Sequence, residues 1–209
     1  MEKNLIQIYQ IEIVKGYTKA NVDRLSKVIL QNATQKLSSH PNSTQFEDSY
    51  CPDSAIIDTI VDDMQKVYSK GSLSLVNKWG HVHEKNMSTN KHSHGDSDVS
   101  AVTYLSVPEG SGSIQFFPNP LHDYSYIISP KKGMFLLFPG WIPHSVNRHL
   151  SSEPRVSVSF NFMTVSQLLK YKKYLLRVRV ILLIWIILII NLLLQDSFYF
   201  LLGRVFMDV

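Results

Sequence analysis

The chain has 209 residues, 44% of them hydrophobic, which is enough for one domain with a full core, alone or with an appendage. Its formal charge of +4 comes from residues 164–209, which hold 6 Lys/Arg against 2 Asp; residues 1–163 hold 15 of each sign, so the basic balance is no argument for nucleic-acid binding by the main domain and none is expected. The single cysteine, Cys51, excludes an internal disulfide framework and fits a reducing, cytoplasmic compartment.

In chain order, Met1–Gln10 mixes Glu2, Lys3 and Asn4 with a short apolar stretch and lacks a signal-peptide core. Leu5–Ile13 alternates apolar and polar residues and predicts a strand. Asn21–Asn32 places Val22, Leu25, Val28, Ile29 and Leu30 near helical spacing and predicts a helix. Gln35–Asp53 is rich in Ser, His, Asn and Pro and predicts a loop; within it, Ser39–Tyr50 is expected to shape the mouth of a pocket. Asp53–Val67 predicts a helix with an apolar stripe through Ile56, Ile57, Ile60, Val61, Met64 and Val67, capped by Asp53 or Ser54.

From Ser72 onward short β-rich runs follow one another: Leu73–Val82, Val99–Val107, Ser113–Phe117, Tyr124–Ile128, Gly133–Phe138, His144–Asn147 and Arg155–Phe162. Turn residues at Glu109–Gly112 and Pro118–Pro120 separate them. So many closely spaced strands predict a small sandwich or barrel with helices outside it.

Residues 164–209 break this pattern. Val180–Leu194 has 14 apolar residues of 15, and Lys170, Lys172, Lys173, Arg177 and Arg179 precede it. Fifteen helical residues at about 1.5 Å each fall short of a bilayer core of roughly 30 Å, although continuation to Leu202 would reach it. A membrane contact through 180–202 is one expectation, with the N-terminal domain on the cytoplasmic face. An interfacial helix, a partner-binding helix and an extension without function are the others.

The chemistry lies in two segments. Lys91-His92-Ser93-His94-Gly95-Asp96 is followed, about fifty residues on, by Pro139-Gly140-Trp141-Ile142-Pro143-His144, with Arg155 and Ser157 beyond. An O₂-activating Fe(II) centre needs imidazole and carboxylate ligands on one face and open positions on the other. Side chains two apart on a strand share a face, so His94 and Asp96 can act together, with His144 as a distant third ligand. A 2-oxo-dicarboxylate needs a fixed cation for its far end, and arginine offers a two-point fork; Arg155 suits this, and Ser157 can add a hydroxyl on the same strand face.

Further runs accompany these two: Trp79; Ser100-Ala101-Val102-Thr103-Tyr104-Leu105; Pro108-Glu109-Gly110-Ser111-Gly112; Phe117-Pro118-Asn119-Pro120; Leu137-Phe138-Pro139; and Arg155-Val156-Ser157-Val158-Ser159-Phe160-Asn161-Phe162. With His92-Ser93-His94 and Trp141-Ile142-Pro143-His144 they resemble a family of 2-oxoglutarate/Fe(II) oxygenases of marine bacteria and their phages, within the prolyl-hydroxylase-like superfamily. The resemblance covers roughly residues 5–163. It implies a double-stranded β-helix, or jelly roll, for a domain spanning 1–163, Fe(II) and 2-oxoglutarate as cofactors, O₂ and an organic or peptidyl substrate as partners, and room for a homodimer. The family pattern stresses His-x-His. The ligand set therefore reads two ways: a carboxylate keeps the charge nearer neutral and favours His94, Asp96 and His144, while a set including His92 stays open.

Other residues have blander readings. His81 and His83 read as exposed strand histidines, with a supporting or substrate-binding role as the alternative. Tyr104 can hydrogen-bond 2-oxoglutarate or serve as a core tyrosine. Phe138 and Trp141 read as packing, and Arg148 and His149 as solvated turn residues. The competing function classes are a cupin-like metal-binding module without turnover, which has no need of Arg155, and a membrane-tethered interaction domain.

Overall fold

The computed structural model describes residues 11–32, 51–52, 54–95, 97–119, 124–165, 169, 172–183 and 185–186. Within residues 11–164 two helices and nine strands are assigned: β1 (Val14–Tyr17), α1 (Val22–Asn32), α2 (Ala55–Val67), β2 (Leu73–His83), β3 (Thr89–His92), β4 (Val99–Ser106), β5 (Ile114–Phe116), β6 (Tyr126–Ile128), β7 (Met134–Pro139), β8 (His144–Val146) and β9 (Arg155–Thr164). The predicted loop Gln35–Asp53, Ser39–Tyr50 included, lies outside the described residues apart from Cys51 and Pro52.

Both helices form where the apolar stripe predicted them. α1 starts at an Asn21 side chain that accepts from the Arg24 amide, and it buries Val22, Leu25 and Ile29. α2 starts at Ser54, whose hydroxyl accepts from the Ile57 amide, and it buries Ile57, Ile60 and Met64. Of the predicted strand Leu5–Ile13, only the last three residues are described. Leu5–Gln10 lies outside the described residues, Ile11–Ile13 is not strand, and pairing starts at Val14 against Leu137. Alternation alone made no distinction here, because Ile11 and Ile13 pack against the core without joining the ladder.

The strands form two antiparallel sheets, one ordered β1-β7-β4-β9-β2 and one ordered β3-β8-β5-β6. This is the mainly-β, jelly-roll-like architecture expected. Alternation splits the interior of the larger sheet into two layers. Val156, Val158, Phe160 and Phe162 of β9 join Phe135, Leu137 and the apolar stripes of α1 and α2 in one cluster. Val102, Tyr104, Leu136 and Phe138 join Ile114, Phe116 and Ile142 in the other. The odd-numbered residues Arg155, Ser157 and Ser159 of β9 turn toward a cavity instead.

Asp63 on α2 fastens the chain between β1 and α1. Its Oδ2 accepts from the Lys19 amide at 2.9 Å and from the Thr18 hydroxyl at 3.0 Å, while Lys66 Nζ reaches Oδ1 at 3.0 Å. The Lys19 amide, with help from Lys66 and Thr18, holds the carboxyl below its ordinary 3.8 against the opposing effect of burial. A folded-state value below the unfolded one adds stability above that range and loses it as pH falls through it. Asp63→Asn is therefore expected to cost about 1 kcal/mol at pH 7, the scale of one net hydrogen bond, and much less at pH 3. Urea midpoints at the two pH values check this; an equal loss at both would refute the charged latch.

Residues 1–165 form one compact unit and residues 166–209 a second. In the second, Lys172–Leu183 is helical. Among the described residues no helix is long and apolar enough to cross a membrane, so the expected anchor finds no support; most of 180–202 lies outside the described residues.

Candidate active site

His144 opens β8, and its Cα pairs with that of His92, the last residue of β3. The ring centroids of these two stand 4.4 Å apart. His94 lies beyond β3 in a turn rather than on the strand; its amide donates to the Gly140 carbonyl at 2.7 Å and its carbonyl accepts from the Ser97 amide at 2.9 Å. The ligand atoms of His92, His94 and His144 all lie within 4.8 Å of one another. Asp96 lies outside the described residues.

The donor set suits a metal. A backbone carbonyl only accepts, so the Nδ1 of His144 donates to Ile142 and the Nδ1 of His92 donates to Asn90, at 3.1 and 2.8 Å. In its neutral form each ring then has its lone pair on Nε2, the arrangement in which a second hydrogen bond orients a metal-binding imidazole. Burial pushes His94 down to about 4 and His144 to about 3, with His92 nearby adding to both shifts. Both are unprotonated at neutral pH, so neither has a proton to lose when a metal binds.

Gly140 explains how His94 gets there. A Cβ on it would run into the Ser97 and His94 carbonyl oxygens. Gly140→Ala should push the His94 turn away and weaken divalent-metal affinity by at least about tenfold, the scale of losing a ligand's orientation. Titration with Mn(II) is the check, and an unchanged affinity would show that His94 is not held this way.

The three histidines share a cavity of about 340 Å³ with Arg155, Ser157 and Tyr104. Arg155 is 2% exposed. Its Nη1 donates to the Gly112 carbonyl at 2.8 Å and its Nη2 to His83 Nδ1 at 3.3 Å, while Nε has no partner. No carboxylate among the described residues pairs with this guanidinium, and burial lowers its pKa. Tyr104 places its ring 5.7 Å from the guanidinium carbon, and burial raises its hydroxyl to about 12, so it remains a donor. Ser157 is buried and sits between Tyr104 of β4 and His81 of β2 in the register.

Several residues differ from their sequence reading. His81 and His83 line the cavity rather than the outer surface. Their parity with Trp79, on a strand next to the one carrying Arg155, was the signal. His149 is fully buried and bonds to the Glu153 carbonyl rather than to solvent. Trp141 is 45% exposed, whereas Phe138 packs 4.9 Å from His144. In the sequence Gly112 reads only as turn punctuation. A Cβ there would strike the Asn147 carbonyl, and this close approach lets its own carbonyl hold Arg155.

Residues 119–161 match a family model described as "Putative 2OG-Fe(II) oxygenase". A search of curated proteins returns no match. Among solved structures, a prolyl hydroxylase in complex with a hypoxia inducible factor oxygen degradation domain peptide fragment, from Trichoplax adhaerens, is similar with a TM-score of 0.53 at 12% identity, over 74% of this chain and 83% of that one. The non-heme alpha ketoglutarate dependent carbocyclase SnoK from nogalamycin biosynthesis gives 0.57 at 10% identity, over 73% and 79%. HygX from Streptomyces hygroscopicus, with nickel and 2-oxoglutarate bound, gives 0.56 at 14% identity, over 74% and 83%. These likenesses show a shared fold. The family match and the histidine cluster together make Fe(II) and 2-oxoglutarate the metal and cosubstrate of the site.

Proposed function

We propose, for a chain with both the family match and the fold of the prolyl-hydroxylase-like 2OG-Fe(II) oxygenases, that it is a dioxygenase hydroxylating a C–H bond of an organic or peptidyl substrate, with release of succinate and CO₂. One observation carries this reading: a three-histidine cluster and a buried arginine that no described carboxylate pairs with share a single cavity. A metal-binding module without turnover has no use for the second feature, and leaving a guanidinium unpaired in a protein interior is costly.

In this reading His92, His94 and His144 hold iron. Arg155 and Ser157 take the distal carboxylate of 2-oxoglutarate, with the Tyr104 hydroxyl as a further donor. Bound together, iron and 2-oxoglutarate supply the O₂ activation that side chains cannot. The chain's own residues orient the cosubstrate and exclude water. Phe138, packed against His144, and Val102 and Ile114 in the cavity wall keep the metal end apolar, where charge-assisted bonds are stronger than in water.

The full-length protein under anaerobic conditions provides the test. Fe(II) and 2-oxoglutarate together should produce a weak visible charge-transfer band that neither produces alone, and admission of O₂ should release succinate. Metal binding without a band would favour the cupin-like module, and no metal binding would end both readings.

A further inference from the structure

β2 carries three aromatic side chains along the cavity wall, Trp79, His81 and His83, spaced two apart and so on one face. The row runs from the histidine cluster to the arginine. Ring centroids are 5.6 Å apart from His94 to Trp79, 5.9 Å from Trp79 to His81, and 6.0 Å from His81 to His83. At the far end His83 Nδ1 meets Arg155 Nη2 at 3.3 Å. His81 is the middle member, opposite Ser157 in the register.

The two histidines are held in opposite tautomers. A guanidinium only donates, so His83 Nδ1 accepts from Arg155, and its Nε2–H donates to the Thr89 hydroxyl at 2.8 Å. An indole N–H also only donates. Trp79 Nε1 stands 2.6 Å from His81 Nε2, which must therefore accept. Burial keeps the His81 ring neutral, with Arg155 and the other histidines adding to the effect and bringing its pKa to about 3, so the one proton sits on Nδ1. That nitrogen is buried and has no partner. His83 uses both nitrogens, whereas His81 leaves a fixed, unpaired N–H. His149 Nδ1 is also unpartnered, but His149 does not line the cavity. A buried donor of this kind costs stability until an acceptor arrives.

We propose that His81 is a further cosubstrate-binding residue, a neutral N–H donor set by Trp79 that takes a carboxylate oxygen of the ligand lying between the histidine cluster and Arg155. The inference rests on the 2-oxoglutarate reading of the site. It adds a donor where the ligand passes, without adding positive charge to a cavity wall that already holds Arg155 and Lys91. Trp79 acts through His81 as a positioning residue.

Two measurements test this on the full-length protein. In the metal-free state, ¹⁵N-histidine spectra should show His81 as the Nδ1–H tautomer, and the Trp79→Phe variant should lose that preference. In the Mn(II)-loaded state without substrate, calorimetry should show His81→Leu binding 2-oxoglutarate roughly 10- to 100-fold more weakly, the range of one hydrogen bond to a charged group, with Mn(II) affinity unchanged. His81→Asn, whose amide nitrogen comes near the Nδ1 position, should recover most of the loss. Parent-like 2-oxoglutarate binding by His81→Leu would overturn the proposal, as would a matching fall in Mn(II) affinity or an Nε2–H tautomer. A parent protein that binds Mn(II) but no 2-oxoglutarate would remove the cosubstrate reading itself, and this inference with it.

Discussion

Arg155→Met should bind 2-oxoglutarate roughly 30- to 1000-fold more weakly than the parent, about 2–4 kcal/mol, while folding as stably or more so. The binding loss is the scale measured when one partner of a desolvated charge pair is removed. The stability expectation follows from the unliganded site: the guanidinium is 2% exposed, its Nε is unpartnered, and no described carboxylate neutralises it. Replacing such a cation with an apolar side chain of similar length is often neutral or stabilising. The Met side chain leaves the Gly112 carbonyl and His83 Nδ1 without a donor, which tempers the gain. Calorimetry with 2-oxoglutarate on the Mn(II)-loaded variant gives the affinity, and thermal melting of the ligand-free form gives the stability. Unchanged affinity would sink the assignment of Arg155, and a large fall in melting temperature would make the arginine a structural residue. Arg155→Lys keeps the charge without the fork and should fall between the two.

His144→Ala should weaken Fe(II) or Mn(II) binding more than about 100-fold, beyond the 10- to 100-fold typical of losing only an orienting partner. The comparison with its neighbours decides the ligand set. If His92, His94 and His144 hold the metal, His92→Ala matches His144→Ala and Asp96→Asn retains parent affinity. If the set is His94, Asp96 and His144, the pattern reverses. The pairing of His92 with His144 and the free Nε2 on each favour the first outcome. Equilibrium dialysis of the four proteins separates the two. Retention of tight metal binding by His144→Ala would refute both sets.

α1 and α2 were readable from the chain because an apolar stripe at helical spacing, with Asn21 or Ser54 ahead of it, is complete within one segment. β4 and β7 were readable for a similar reason, each being a run of consecutive apolar and small residues buried on both faces, and β9 through its strict alternation of Val156, Val158, Phe160 and Phe162 with polar residues. That Arg155 and Ser157 share a strand face was also legible, because spacing along a strand converts directly into which side chains point the same way, and both line the cavity that His144 enters.

β3 was not legible. Thr89-Asn90-Lys91-His92 has no apolar alternation, and only the edge of β8 makes it a strand. That pairing joins positions about fifty residues apart, so no local window contains it, and it is what brings His92 beside His144. The turn carrying His94 likewise depends on Gly140 arriving from β7, and the orientation of Arg155 depends on the Gly112 carbonyl and His83. Residue types and their periods specify the elements and the kind of chemistry, since those are properties of short segments. Which histidines meet, and which nitrogen of each is left free, is set by hydrogen bonds between distant segments that form only when the two sheets close on one another.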